Sequence, residues 1–392
     1  PKGWMLLQVS DICKLQNGNS FKPHEWDTKG LPIIRIQNLN GSGNYNYFSG
    51  VPQDKWLVEP GQLLFSWAGT KGVSFGPFIW NGPKGVLNQH IYKVFANENV
   101  HEHWLYLALL HITQKIEAQA HGFKSTLLHV QKKDIDNQFV LTPPVAEQKK
   151  ISQILSTWNK AISVTEKLLA NSQQQKKALI QQLLTGKKRL LDENGVRFSG
   201  EWCTCTLSEV AHIIMGSSPK SEAYNDNGLG LPLIQGNADI KCRVSCPRVY
   251  TSDITKECTP GDILLSVRAP VGTVALSQHK ACIGRGISAI KSKRKMSQSF
   301  LYQWFLWFEP KWCYLSQGST FESINSDDIK TLKLSVPNFE EQQKIAAVLS
   351  AADTEISTLE KKLACLKNEK KALMQQLLTG KRRVKVDEAV AV

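Results

Sequence analysis

The most regular pattern of hydrophobic and polar positions lies near the end of the chain. Apolar residues recur at Ala352, Ile356, Leu359, Leu363, Leu366, Leu373 and Leu377, in alternating steps of four and three, with Lys370 filling the one missing position. Such spacing is a heptad seam and predicts a long helix. The register is kept 194 positions earlier by Trp158, Ile162, Leu169, Leu179 and Leu183, which leaves Thr165, Ser172 and Lys176 on the stripe. Each stretch begins after proline (Pro143-Pro144; Pro337), with Glu147 or Glu340-Glu341 in the first turn, where the helix dipole favours acids. Each ends at Thr-Gly followed by basic residues: Gly186, Lys187, Lys188, Arg189 and Gly380, Lys381, Arg382, Arg383. About 40 helical residues span roughly 60 Å. A small domain cannot bury so long a stripe. The linker after Gly186 is too short to run back along such a helix at ~3.5 Å per residue. An antiparallel pairing of the two helices follows; the alternative is that each packs on its own domain.

The rest of the chain reads differently. LPIIRIQNL (31–39), GQLLFSW (61–67), HIYKVF (90–95), GDILLSV (261–267) and GISAIKS (286–292) are short, alternating or β-branched, and bounded by Gly and Pro, as strands are. Residues 101–119 and 298–315 read as single amphipathic helices. The aromatic cluster Trp304, Phe305, Trp307, Phe308 and Trp312 reads as core rather than as a base-stacking platform. These segments too occur twice: Val9-Ser10 answers Leu207-Ser208, Gly18 answers Gly216, Leu31-Pro32 answers Leu231-Pro232, and Pro60-Gly61 with Leu64 and Ser66 answers Pro260-Gly261 with Leu264 and Ser266. The chain is therefore a tandem duplication of a divergent globular part and a nearly fixed helical segment, KKALIQQLLTGK against KKALMQQLLTGK. The loops 40–48 and 241–248 differ completely between copies. Variable loops on a repeated scaffold are where recognition is expected.

Charge changes the picture only in part. The 48 Lys+Arg outnumber 34 Asp+Glu, a net of +14. That excess favours a polyanionic partner, nucleic acid before membrane. Yet residues 143–190 alone hold 9 basic and 2 acidic side chains, and residues 337–386 hold 10 and 6, so most of the excess sits on the helical segments. Nine cysteines, an odd number, in a sequence without a signal-peptide pattern or a membrane-length apolar run, point to reduced thiols and a cytoplasmic setting. Cys203/Cys205 and Cys242/Cys246 lack a second pair at zinc-site spacing, and no metal is expected. His101-Glu-His103 reads as a solvated helix start. No Walker A, GxSxG or HExxH element occurs. Thr142-Pro143-Pro144-Val145 lacks the amide or acid and the aromatic ring of an amino-methyltransferase motif. No catalytic residue is expected.

The segments STLLHVQKKDIDNQFVLTPPVAEQKKISQIL (125–155) and STFESINSDDIKTLKLSVPNFEEQQKIAAVL (319–349), with both QQLLTGK endings, resemble specificity subunits of type I restriction-modification systems over essentially the whole chain. The resemblance implies an α+β architecture: two mixed α/β target-recognition domains joined by two long antiparallel helices with internal pseudo-twofold symmetry. Its divisions would be recognition domain 1 (1–142), helical spacer 1 (143–186), a linker (187–200), recognition domain 2 (201–336), helical spacer 2 (337–382) and a tail (383–392). It implies a DNA-associated, non-catalytic reader of a bipartite target in double-stranded DNA, one half-site per domain. Two modification subunits would carry S-adenosylmethionine and the adenine-N6 methyltransferase chemistry, restriction subunits would be further partners, and this chain would bind no cofactor. A coiled-coil adaptor without sequence-specific DNA contact is the competing reading.

Base edges are read by Arg or Lys on guanine and by Asn or Gln on adenine. On that basis the candidates in the first domain are Asn19, Lys22, Arg35, Gln37, Asn38, Asn40, Asn88, Gln89 and His90, with Lys71 and Lys124 for phosphate. In the second they are Ser218, Lys220, Gln235, Asn237, Lys241, Arg243, Arg268 and Arg285. Arg35 and Arg285 sit amid apolar strand neighbours, where an internal ion pair is the competing explanation.

Overall fold

The computed structural model describes residues 1–119, 127–312 and 323–386. Four helices of more than ten residues organise it: α1 (Glu102–Gln119), α2 (Val145–Leu183), α3 (Gln298–Phe308) and α4 (Phe339–Leu378). The predicted helix over 298–315 ends early. Pro310 cannot donate to the ladder, and Glu309–Lys311 tighten into a 3-10 turn instead. The chain packs as two compact units, Pro1–Thr165 with Lys362–Val392, and Glu166–Lys361. Each unit thus takes one globular part and half of each long helix. The sequence division follows the repeat, whereas the compact units follow packing.

In the first unit an antiparallel sheet forms from β1 (Cys13–Asn17), β3 (Leu63–Ser66), β4 (Gly76–Ile79) and β6 (Ile91–Ala96), in the order β1-β6-β3-β4. A second sheet pairs β2 (Leu31–Ile34) in parallel with β5 (Gly85–Leu87). The predicted strand 31–39 is shorter than expected. It stops at Ile34, and Ile36–Leu39 form a helical turn, because the Asn38 Oδ1 accepts the Arg35 N–H at 2.9 Å. The apolar face of α1 (Trp104, Leu105, Ala108, Ile112) covers the first sheet in one core with Leu15, Phe65 and Val94. The second unit repeats this plan with β7 (Ala211–Met215), β8 (Leu231–Ile234), β9 (Ile263–Ser266), β10 (Val274–Leu276), β11 (Ala281–Ile283) and β12 (Ile287–Ser292). Here β8 and β11 are the corresponding parallel pair. Trp304, Phe305 and Trp312 of the aromatic cluster are buried in its core, and Trp307 and Phe308 pack against it.

In each unit the two helix segments run antiparallel. In the second, Arg189 meets Glu341 and, farther along, Lys176 meets Asp353. In the first, Glu147 meets Arg383. Trp158, Ile162, Leu169, Leu179, Ile356, Leu359, Leu363, Leu366 and Leu373 are half-buried, and Leu183 and Leu377 are buried. The polar stripe positions have local partners. Thr165 donates to the Ala161 carbonyl at 2.8 Å, and Ser172 to Glu355 Oε1 at 3.0 Å. Lys176 pairs with Asp353, which also accepts from Gln303 Nε2 at 2.8 Å.

The repeated motifs acquire a physical reason. Gly186 (φ +70°) and Gly380 (φ +68°) end the helices in the left-handed conformation, with Lys188 and Arg382 N–H groups closing back on Gln182 and Gln376 carbonyls. The arginine three residues on then reaches the glutamate of the other repeat. The Arg189 guanidinium grips the fully buried Glu341 at 2.7 and 2.6 Å, and Arg383 grips Glu147. Arg189, one of the basic residues that follow the first Thr-Gly stop, is thus occupied; Lys187 and Lys188 stay exposed. The neighbouring glutamine ties each helix to its own globular part. Gln342 accepts from Ser297 N–H at 2.8 Å and donates to the Pro337 carbonyl at 2.9 Å, and Gln148 does the same with His101 and Pro143.

Candidate nucleic-acid interface

Three chain crossings make a platform in each globular part. In the first, Gly18 N–H donates to the Ile91 carbonyl (3.0 Å), Asn19 to Leu87 (2.9 Å), Asn88 to Ile34 (3.0 Å) and Trp67 to His90 (3.1 Å). In the second, Gly216 donates to Ile287 (2.9 Å), Ser217 to Ile283 (3.0 Å), Gly284 to Ile234 (2.8 Å) and Val267 to Gly286 (2.9 Å). These four bonds recur at corresponding positions. The frame requires glycine at the first crossing: a Cβ on Gly18 would sit 2.1 Å from the Asn88 carbonyl oxygen, and one on Gly216 the same distance from that of Gly284. The bonds place Arg35 opposite Gln235 in the comparison, and Asn88, Gln89 and His90 opposite Gly284, Arg285 and Gly286.

The second platform is a cleft of about 450 Å³ lined by Ser218, Gln235, Asn237, Arg268 and Arg285 among others. Five residues chosen from separate stretches of sequence are thereby brought together. Both guanidiniums are exposed and, among the described residues, neither has an ion-pair partner. Their backbones are fixed. Ser266 Oγ donates to the Arg268 and Pro270 carbonyls at 3.0 and 2.8 Å, and Arg285 N–H reaches Ser218 Oγ at 3.4 Å. The buried Asp239 holds Gln235 N–H at 2.9 Å. Tyr224 and Ser221 also line the cleft and were not foreseen. Lys220 is exposed next to the lining residues Pro219 and Ser221, and its N–H donates to Asp253. Lys241 is exposed on a hairpin outside the cleft. Arg243 is not brought to the cleft: at φ +66° in that hairpin, it is paired with Glu309 and bonded to the Val274 carbonyl, and it lines a different groove.

On the first platform Arg35 has no internal ion pair among the described residues. Its guanidinium lies 5.1 Å over the Trp26 ring, and its buried Nε has no partner. Asn19, Asn88, Gln89 and His90 are half-buried at the crossings. His90, held at φ +74°, contacts Trp67 at 4.9 Å, and Trp67 stacks on His129 at 4.7 Å. Burial, then the neighbouring His129, push the His90 pKa below its usual value. Trp67 and His129 carried no Arg/Asn/Gln signal, although Trp67 directly follows Ser66, the counterpart of Ser266. Lys22 and Asn40 are exposed. Gln37 is exposed, with its amide donating to the Asn44 carbonyl at 3.1 Å. Asn38 is turned inward. It is 4% exposed, and its amide is spent on Arg35 N–H and on the Ser42 and Asn44 carbonyls. Lys71 Nζ donates to the Glu117 carbonyl at 2.6 Å. Lys124 lies outside the described residues.

No group of three or more His, Cys, Asp or Glu is placed to hold a metal among the described residues, and no helix there is long and apolar enough to cross a membrane.

A paired scaffold carrying two differently decorated platforms defines a class of nucleic-acid-reading protein, and comparison with known proteins narrows it. The model of the type I restriction modification DNA specificity domain matches residues 1–171 and again 199–368. The chain belongs to that family. It is 32% identical to the putative type I restriction enzyme MjaX specificity subunit of Methanocaldococcus jannaschii, over 98% of this chain and 95% of that one. It is 24% identical to the type I restriction enzyme EcoBI specificity subunit of Escherichia coli, over 87% and 77%. The crystal structure of a type I restriction-modification system S subunit from M. genitalium shares the fold at a TM-score of 0.62 and 16% identity, over 96% of each chain.

Proposed function

We propose that the chain is the sequence-reading subunit of a type I restriction-modification complex, with each globular part reading one half of a bipartite DNA target. The observation that carries this reading is the platform built twice on one hydrogen-bonded frame with different side chains on it. One frame sets the approach to the duplex; the exposed side chains set which bases fit. Arginine and amide side chains then meet base edges in the major groove, and neighbouring groups fix the register through phosphates. A helical adaptor would have no use for a cleft holding two unpaired guanidiniums. Two modification subunits bring S-adenosylmethionine and adenine-N6 methyl transfer, restriction subunits bring cleavage, and this chain contributes recognition. Double-stranded DNA is the shared substrate. Exchange of residues 1–142 for the matching region of another family member tests the division of labour. With the modification subunits present, mapped adenine methylation should change in one half of the target only; a change in both halves would refute it.

A further inference from the structure

The second platform points to the kind of half-site it takes. We propose that this half-site contains two guanines, one read by Arg268 and one by Arg285, with Gln235 and Asn237 supplying the amide donors and acceptors that fit an adjacent adenine. The inference rests on the DNA-reading function above and deepens it.

The two arginines differ from four others of the chain. Arg189, Arg243, Arg248 and Arg383 are each paired with a carboxylate. Arg268 and Arg285 line one cleft, exposed, with no carboxylate partner among the described residues. They are also held from behind. Gly286 lies so close to Gln235 that a Cβ there would be 2.3 Å from the Gln235 carbonyl oxygen, and Arg285 follows Gly284, whose N–H is bonded to Ile234. Arg268 follows the buried Val267, whose N–H is bonded to Gly286 and whose carbonyl accepts from Ile324. Fixed backbones reduce the ordering cost of binding, and a planar fork of donors matches the O6 and N7 acceptors of guanine. A phosphate would be served equally well by lysine, and the described lining of this cleft contains none.

The first platform lacks this pair. Ala68 stands where the second has Arg268, and Gln89 where it has Arg285, while Arg35 replaces Gln235. The same frame therefore carries one arginine instead of two, beside amides and the Trp67–His129 stack. The two half-sites are expected to differ accordingly, with the guanine pair confined to the second.

The test is selection of randomised duplexes by the full chain assembled with its modification subunits, for wild type, Arg268→Ala, Arg285→Ala and Arg35→Ala. Wild type should enrich a two-part sequence. Arg268→Ala and Arg285→Ala should each abolish preference for a different guanine in the same part, by about fivefold to 150-fold. Arg35→Ala should alter only the other part. Should an alanine variant fail to assemble, Arg268→Lys or Arg285→Lys keeps the charge without the fork and should show a smaller loss at the same position. If wild type enriches a two-part sequence but the arginine variants weaken all sequences equally, the guanidiniums hold phosphates and the proposal falls while the reading function stands. If wild type enriches nothing, the reading function falls with it.

Discussion

At the scale of single residues, two kinds of position carry more than their size suggests. The first is a glycine with no room. Gly18→Ala must push its Cβ against the Asn88 carbonyl oxygen 2.1 Å away, and backbone cannot yield as a flexible side chain would. The crossing bonds Asn19–Leu87 and Asn88–Ile34 lie on either side of the clash. A loss of about 2–4 kcal/mol in urea unfolding is expected, together with loss of selectivity in one half of the target. Gly43→Ala, with open space around it, should change stability by less than about 0.5 kcal/mol. The second kind is the buried acid. Glu341 has no exposed surface, and its charge is tolerated because Arg189 donates twice to it and Asn338 caps its backbone N–H at 2.9 Å. Arg189→Ala leaves that carboxylate without its partner. About 2–3 kcal/mol of stability should disappear, the low end for an uncompensated buried charge because water reaches the Arg189 side. Glu341→Gln in the same background should restore part of it, as measured by a double-mutant cycle.

At the scale of elements, the repeated glutamines show why the helical segment is nearly fixed while the globular parts diverge. Gln342 joins three backbone groups, the Ser297 N–H and the Pro337 and Lys295 carbonyls, at the place where α4 leaves its globular part. Gln342→Ala orphans these groups in a buried site and should cost about 3 kcal/mol, whereas Gln343→Ala on the exposed face should be within about 0.5 kcal/mol, both read from chemical denaturation. The helices themselves were legible because periodicity is local: the seam from Ala352 to Leu377 and the Thr-Gly stops state length, face and end within a few turns. The strands were legible as short apolar runs, but their ends were not. Ile34 ends β2 because the Asn38 side chain competes for backbone, and Phe308 ends α3 because of Pro310. What could not be read were choices of partner across 152 or 236 residues, as for Arg189 with Glu341 and Arg383 with Glu147. Composition marks those arginines as surface charge; only the fold shows them occupied. The same limit explains the candidate site. Residue type nominated Arg243, Lys71 and Asn38 alongside Arg268 and Arg285, and the difference lies in which of them already has a partner.

At the scale of the molecule, the first unit carries a response to pH in its histidines. The first unit holds three histidines that burial pushes below the usual pKa of 6.5: His90 beside His129, His103 beside His101 and Lys370, and His111 beside Lys115. His103 Nε2 and His111 Nδ1 are buried without partners, so the fold favours the neutral form of each ring. In the unfolded chain each titrates near 6.5. Below that value the unfolded state binds more protons than the folded one, and folding loses free energy as pH falls. The stabilising contribution is therefore complete above about 6.5 and drains away as pH drops towards the depressed folded values. Carboxylates held low by backbone N–H groups, Asp27 and Glu209, titrate only at much lower pH and stay silent in this window. Urea unfolding followed between pH 7.5 and 5.5 should show the first unit losing stability. Hydrogen exchange assigns the loss to residues before Thr165, and the double variant His103→Asn with His111→Asn flattens it. An undiminished loss in the variant would place the effect elsewhere.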